Sequence, residues 1–179
     1  MPVTNMSVTL LEGITLVVTD GVVKGMSKCE YKNFTVDLEK FTCTQEINCK
    51  ALYVKGQFVI TGSGEVLKQL VGANEIQGHG KAKGKLENMY MRYVFPFKPV
   101  KKNDGEIYMS VGTKGVKSKY NIEEATFTTE KVFVNNIKED LSDVATAVLN
   151  TSWRLMFNSV GAPAMKKVEE IYMSLENNY

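Results

Sequence analysis

From its start to about residue 134 the chain alternates apolar and polar side chains, and from about Ile137 the apolar spacing changes to three and four. Period two puts successive side chains on opposite faces of a strand, whereas the three-four spacing puts them on one side of a helix. After Glu87 the residues Met89, Met91, Tyr93, Phe95 and Phe97 share one face, and Asn88, Tyr90 and Arg92 take the other. Residues 43–51 behave likewise, with Cys43, Ile47, Cys49 and Ala51 opposed to Thr44, Glu46, Asn48 and Lys50. Further strands are predicted at 6–11, 14–19, 29–37, 57–61, 107–111, 116–122 and 125–134. Between them stand Thr19-Asp20-Gly21, Lys55-Gly56, Gly62-Ser63-Gly64, Lys102-Asn103-Asp104-Gly105 and Gly112-Thr113, read as turns. Such one-sided alternation predicts a long antiparallel meander with a single buried face.

The second segment carries a helical stripe of Ile137, Leu141, Val144, Ala145, Val148, Leu149, Ser152, Leu155, Met156 and Ala162. Asn135 or Asn136 is the expected N-cap, with Glu139 and Asp140 in the first turn, where the helix dipole favours them. At about 100° per residue the stripe shifts at Gly161-Ala162-Pro163, after which Met165, Val168, Ile171, Tyr172 and Leu175 lie nearly opposite. Pro163 lacks a donor and clashes with the preceding turn, which predicts a kink or break there. A helix over 137–176 spans about 60 Å, long for a chain of 179 residues. The economical arrangement is a sheet that curls round the helix and buries nearly all its sides, which accounts for Trp153 and Phe157 lying off the main stripe. The expected class is α+β, a single domain over 1–179 with a long, highly curved antiparallel sheet over 1–134 wrapped around a helix over 137–176.

With 44% apolar and 23% charged residues the chain has ordinary globular usage, which excludes disorder and coiled-coil rods for the whole of it. Twenty-two Lys/Arg against 20 Asp/Glu give +2, too weak for a nucleic-acid partner. The total is uneven: residues 79–119 hold ten basic and three acidic residues. Lys81, Lys83, Lys85, Lys98, Lys101, Lys102, Lys114, Lys117 and Lys119 read as a solvated outer sheet face with edge gatekeepers. Lipid headgroups are the alternative partner. No apolar run reaches the roughly 18 residues of a membrane helix. The N-terminus shows no secretory signal, leaving a cytosolic chain or a mature secreted one, while N-x-S/T triplets at Asn5, Asn33 and Asn150 lean towards secretion.

Cys29, Cys43, Cys49 and the sole histidine, His79, lack the spacing of a zinc site, so neither a metal nor another cofactor is expected. A hairpin centred near Leu38 to Lys40 places Cys29 opposite Cys49 by symmetry about Glu39, a disulfide arrangement. Three buried thiols acting as small apolar side chains are the other reading. The run Gly78-His79-Gly80-Lys81-Ala82-Lys83-Gly84-Lys85 fails as a phosphate loop, because that pattern needs glycine at His79 and a hydroxyl at Leu86. His79, read as sitting in a Gly/Lys-rich surface turn, has no nucleophile motif nearby, so catalysis is not expected. What remains is apolar capacity, including nine methionines, which fill irregular spaces.

Several runs in order resemble one family: Val54-Lys55-Gly56-Gln57-Phe58, Gly78-His79-Gly80-Lys81 leading to Leu86-Glu87-Asn88-Met89, Gly105-Glu106-Ile107-Tyr108, Val132-Phe133-Val134-Asn135-Asn136, and Val148-Leu149-Asn150-Thr151-Ser152-Trp153. Over residues 7–176 the chain looks like the insect takeout and haemolymph juvenile-hormone-binding family. Leu141-Ser142-Asp143-Val144 and Ala162-Pro163-Ala164-Met165-Lys166-Lys167 are also similar to the mite group 7 allergens. The resemblance implies a lipid-binding super-roll with an elongated pocket for a terpenoid hormone, fatty acid or other lipid, in a secreted protein. Two departures are the absence, before Met6, of the family's first helix with its cysteine pair, and the end at Tyr179 without the proline-containing tail. Loss of that helix would open one end of the tunnel or leave an apolar patch for another subunit. The expected function is non-enzymatic carriage of a lipophilic small molecule, with a filled interior and a membrane-surface or receptor contact as the alternative; the oligomeric state is open. The tunnel-lining candidates are Ile47, Phe58, Met89, Met91, Tyr93, Phe95, Met109, Phe133, Val144, Val148, Leu155, Met156, Met165 and Tyr172, with Tyr93 and Tyr172 offering hydroxyls.

Overall fold

The computed structural model describes residues 2–3, 6–11, 13–65, 68–69, 74–111 and 114–176, with the backbone alone for most of the helix after Leu155. Its strands are β1 (Pro2–Val3), β2 (Met6–Leu11), β3 (Ile14–Lys24), β4 (Glu30–Asp37), β5 (Thr42–Ser63), β6 (Glu75–Lys101), β7 (Ile107–Val111), β8 (Lys117–Asn121) and β9 (Glu124–Val134), followed by one helix, α1 (Ser142–Glu176). The spine is the antiparallel pair β5–β6, in register from Thr42 opposite Pro96 to Ser63 opposite Glu75. At one end β3 flanks β5 and carries β1 and β2 beyond it, while β9 flanks β6. At the other end β4 flanks β5, and β7 and β8 flank β6.

Two of the separators read as turns lie within strands. β5 continues through Lys55-Gly56, and β3 continues through Thr19-Asp20-Gly21 as a bulge, with Asp20 at φ 51° and the register shifting between Thr19 and Val22. A bulge bends and twists its strand without ending it. The buried parity of the spine also changes: Cys43, Ile47, Cys49 and Met89 to Phe97 are inward at odd numbers, but Leu52 and Leu86 at even ones. The change falls at Lys50 and Asn88, which the pairing skips, and Asn88 has φ 48°.

Cys29 and Cys49 are joined by a disulfide. The β4–β5 hairpin starts with Asp37 opposite Thr42, and a register shift between Tyr31 and Asn33 brings Glu30 opposite Asn48. Without that bulge, continued pairing would set Cys29 opposite Lys50 instead of beside Cys49. Cys43 is a buried free thiol.

The helix starts five residues later than predicted, because Asn135 and Asn136 do not cap it. Asn135, at φ 52°, finishes β9: its N–H donates to the Gln77 carbonyl at 2.6 Å and its Oδ1 accepts from the Gln77 N–H at 2.8 Å. Asp140, read as a first-turn residue, precedes the helix. Its carboxylate accepts from the Ser142 N–H and the Val132 N–H, both at 3.0 Å. These bonds, led by that from the Ser142 hydroxyl, hold its pKa below the ordinary aspartate value. α1 then runs unbroken to Glu176, so no break falls at Pro163.

α1 is docked by a polar row along the free edge of β9. Thr146 Oγ1 accepts from the Thr129 N–H at 2.9 Å, and Asn150 both accepts from the Phe127 N–H at 2.7 Å and donates to the Phe127 carbonyl at 2.9 Å. Ser142 meets the Val132 N–H at 3.2 Å, and Arg154 donates to the Glu123 carbonyl at 2.8 Å. Four residues of helix advance about 6 Å and two residues of strand about 6.6 Å, so the rows keep step from Ser142 to Asn150, the bulge at Lys131 absorbing the extra residue between Val132 and Thr129, while Arg154 spans a longer step to Glu123. The helix also touches β2, which lies at the other edge of the same end of the sheet. One helix therefore spans two edges, and the sheet between them is curled.

Among its described side chains, from Ser142 to Leu155, this docking leaves the helix buried on one side only, a correction to the expectation of near-complete burial for that part. Trp153 and Phe157 pack against the core, the Phe157 ring edge-on to Tyr120 at 5.3 Å, while Val144, Val148 and Leu155 are exposed. At about 100° per residue those three lie on the far side of α1 from Ser142, Thr146 and Asn150. Replacing Asn150 by Ala should leave the Phe127 N–H and C=O without their side-chain partner and cost about 1–3 kcal/mol. Urea unfolding and hydrogen exchange at Phe127 measure this; unchanged stability and exchange would contradict the docking role.

Candidate functional site

The candidate site is the inward face of the spine where β8 and β9 flank it and Trp153 and Phe157 of α1 pack against it. Its buried cluster runs from Cys43, Ile47 and Cys49 through Met89, Met91, Tyr93 and Phe95 to Ile122 and Ala125. Tyr93 is 1% and Phe95 2% exposed. The polar atoms inside are few. Gln45 is buried in the same row, and the Tyr93 hydroxyl donates to Met91 Sδ at 3.4 Å.

Those predicted lining residues whose side chains are described separate into four groups. Ile47, Met89, Met91, Tyr93 and Phe95 are enclosed together. Phe58 is partly buried and inward, its ring next to Gly80. Phe133 is turned outward, beside the His79 ring at 5.7 Å, because a bulge at Lys131 (φ 55°) puts Val132 into the inward position instead. Met109, Val144, Val148 and Leu155 are exposed: Met109 belongs to a hairpin at the rim, and the other three occupy the undocked side of α1. The side chains of Met156, Met165 and Tyr172 lie outside the described residues.

The interior has a feature that motif reading passed over. Residues Gly78, Gly80, Ala82 and Gly84 alternate inward on β6, while His79, Lys81, Lys83 and Lys85 alternate outward. The stretch is strand rather than turn, and His79 is an exposed strand residue. A Cβ on Gly80 would lie 2.8 Å from the Phe58 ring, and one on Gly84 would lie 2.7 Å from the Phe127 ring. Bulky residues of the neighbouring strands fill the room that β6 leaves. The signal was available as the same period-two alternation that marked Met89 to Phe97, with small residues in the inward places.

Outside, Lys83 pairs with Glu130 and Lys85 with Glu87 across or along the sheet. Lys83, first by its hydrogen bond and then by its charge, lowers the Glu130 pKa. These lysines form the solvated face that the alternation predicted. A separate depression of about 860 Å³ lies where β3, β5, β6 and β9 end, lined by Thr15, Thr61, Gln77, His79, Phe133 and Asn135 among others. It is open and mostly polar, so burial at the apolar cluster is the better guide to a lipophilic site.

A sequence model of the haemolymph juvenile hormone binding protein family matches residues 2–179. The chain belongs to that family. Among solved structures, Takeout 1 of Epiphyas postvittana is 22% identical and superposes with a TM-score of 0.78, covering 99% of this chain and 76% of the other. The family's curled antiparallel sheet with a C-terminal helix is thus the fold found here. A lipopolysaccharide binding protein, 12% identical, covers 96% of this chain and 34% of the other with a TM-score of 0.38, too loose a superposition to bear on the fold. No curated protein sequence matches. Within this family member the small inward floor of β6 is testable: Gly84→Val should overpack against Phe127 and Val54 and cost about 1–3 kcal/mol in urea unfolding. A variant as stable as the parent would show that the floor has room to spare.

Proposed function

We propose that the chain is a non-enzymatic carrier of a small lipophilic ligand, a terpenoid hormone, fatty acid or similar lipid, held between the curled sheet and α1. The observation that carries this reading is the enclosed row Met89, Met91, Tyr93 and Phe95, set in a fold whose family is described as haemolymph juvenile hormone binding. Each 100 Å² of apolar ligand surface taken from water supplies about 2.5 kcal/mol. Methionine side chains adapt to ligands of different outline, and the row is apolar apart from Gln45 and the Tyr93 hydroxyl.

In this reading residues 1–179 act as one lipid-binding domain, a super-roll whose tunnel is lined by Ile47, Phe58, Met89, Met91, Tyr93 and Phe95, with Met156, Met165 and Tyr172 contributed by α1. Pro163 withholds a helix hydrogen bond and kinks α1 without ending it. The Cys29–Cys49 disulfide suits an oxidising, extracellular setting, in keeping with a haemolymph carrier.

Native mass spectrometry of the purified chain incubated with oleic acid or farnesol tests the proposal. The expected spectrum has one added ligand mass, and Met91→Lys, which sets a charge into the apolar row, weakens binding at least about tenfold. Met91→Leu, which keeps volume and polarity, binds as the parent does and controls for folding. No ligand mass on the parent, or full binding by Met91→Lys, would contradict the carrier reading.

A further inference from the structure

Two hairpins close the end of the sheet farthest from the first turn of α1. They are β4–β5, turning at 38–41, and β6–β7, turning at 102–106. The Phe97 N–H donates to the Phe41 carbonyl at 2.9 Å, the Phe41 and Phe97 rings meet edge to face at 5.7 Å, and Cys43 Sγ lies 3.4 Å from Met109 Sδ. The hairpins are therefore one tip. Beyond this junction apolar side chains continue into solvent: Ile107 is 73% and Leu38 71% exposed, with Phe41, Val100, Tyr108 and Met109 exposed beside them. Single exposed apolar residues are ordinary, but a cluster on two adjoining hairpins marks a contact surface.

The charge around the tip says what the surface contacts. Residues 96–114 carry four lysines, Lys98, Lys101, Lys102 and Lys114, against Asp104 and Glu106 alone, and Lys117 and Lys119 continue the basic face along β8 towards Arg92. The ion pairs found for the basic middle of the chain, Lys83 with Glu130, Lys85 with Glu87 and Arg92 with Glu46, all lie away from the tip. None of the six lysines makes an ion pair among the described residues; Lys102 stands 4.2 Å over the Tyr108 ring. The nearby acids are partly engaged: Asp104 accepts from the Tyr108 hydroxyl at 2.8 Å and Asp37 pairs with Lys40, which leaves Glu39 and Glu106.

We propose that this tip docks on a bilayer surface containing anionic phospholipid, with Leu38, Phe41 and Ile107 entering the interfacial layer and the lysines reaching the phosphates. Convex hairpin ends suit a soft surface that closes round them, and lysine stems lie along the apolar layer while their ammonium groups stay at the headgroups. The argument rests on the tip alone and stands apart from the carrier reading, although a carrier that loads or unloads at a membrane would use such a contact.

Flotation of the full chain with vesicles of phosphatidylcholine, alone or with about 30% phosphatidylserine, tests the proposal. The expected result is flotation with the mixed vesicles only, weakened by added salt. Lys101→Gln with Lys102→Gln should lower vesicle affinity about 25-fold, near fivefold per charge. Leu38→Ser with Ile107→Ser should lower it comparably, and Lys83→Gln, remote from the tip, should leave it unchanged. Equal flotation with phosphatidylcholine alone, none with either vesicle, or tip variants that float like the parent would overturn the proposal. So would a concentration-dependent dimer in sedimentation velocity that the Leu38→Ser, Ile107→Ser variant abolishes, since a second copy would then own the surface. Oleic acid binding by the same variants separates the two readings: retained binding with lost flotation upholds the tip, and lost binding with intact flotation counts against the carrier alone.

Discussion

The structure depends on a match of repeats between a helix and a sheet edge. An edge strand presents unpaired N–H and C=O groups every second residue, and left bare it invites association with other strands. Ser142, Thr146, Asn150 and Arg154 recur every fourth residue on α1 and answer Val132, Thr129 and Phe127 on β9 and Glu123 just before it. Because four helical residues and two strand residues cover nearly the same distance, the correspondence holds over the two turns from Ser142 to Asn150, with the bulge at Lys131 taking up the extra residue between Val132 and Thr129, and Arg154 reaches across a longer step to Glu123. Asp140 begins it by tying the approach to the helix to β9 as well.

The rest of the architecture follows from this seam. With one flank of α1 fixed on β9 and the other against β2, the sheet must curl, and its apolar face becomes an interior. The same seam fixes the rotation of the helix. Trp153 and Phe157 turn inward, and Val144, Val148 and Leu155 turn out. The small residues on β6 then let Phe58 and Phe127 approach the floor closely, while Met89 and Met91 line the deeper part. At the opposite end the two hairpins extend beyond this interior, carrying apolar and basic residues together.

The strand meander was legible because one side of the sheet is buried and the other is wet, so β5 and β6 print their burial directly as alternation. Curvature was less legible. It arises at Asp20, Asn88 and Lys131, non-glycine residues with positive φ that bend or shift strands and leave no strong mark in composition. Phe133 illustrates the cost, since one bulge reverses which of Val132 and Phe133 faces inward. The helix is legible as a helix, but its expected burial on nearly all sides does not hold for the described side chains, because its contact with β9 is made by polar residues and Val144, Val148 and Leu155 of the apolar stripe stand in solvent. Asn150 belongs to that polar row, and its amide is committed to Phe127. The Cys29–Cys49 disulfide also needed a local irregularity, the shift near Lys32, for hairpin symmetry to bring the two residues together.

The central claim is that the space between the curled sheet and α1 receives a lipophilic guest. Trp153, the single tryptophan, packs against that cluster from the helix, so it can report a guest by energy transfer. Titrating cis-parinaric acid while exciting Trp153 should give saturable quenching with matching polyene emission, reversed by an excess of unlabelled oleic acid. Transfer that never saturates, or none at all in folded protein, would contradict the account.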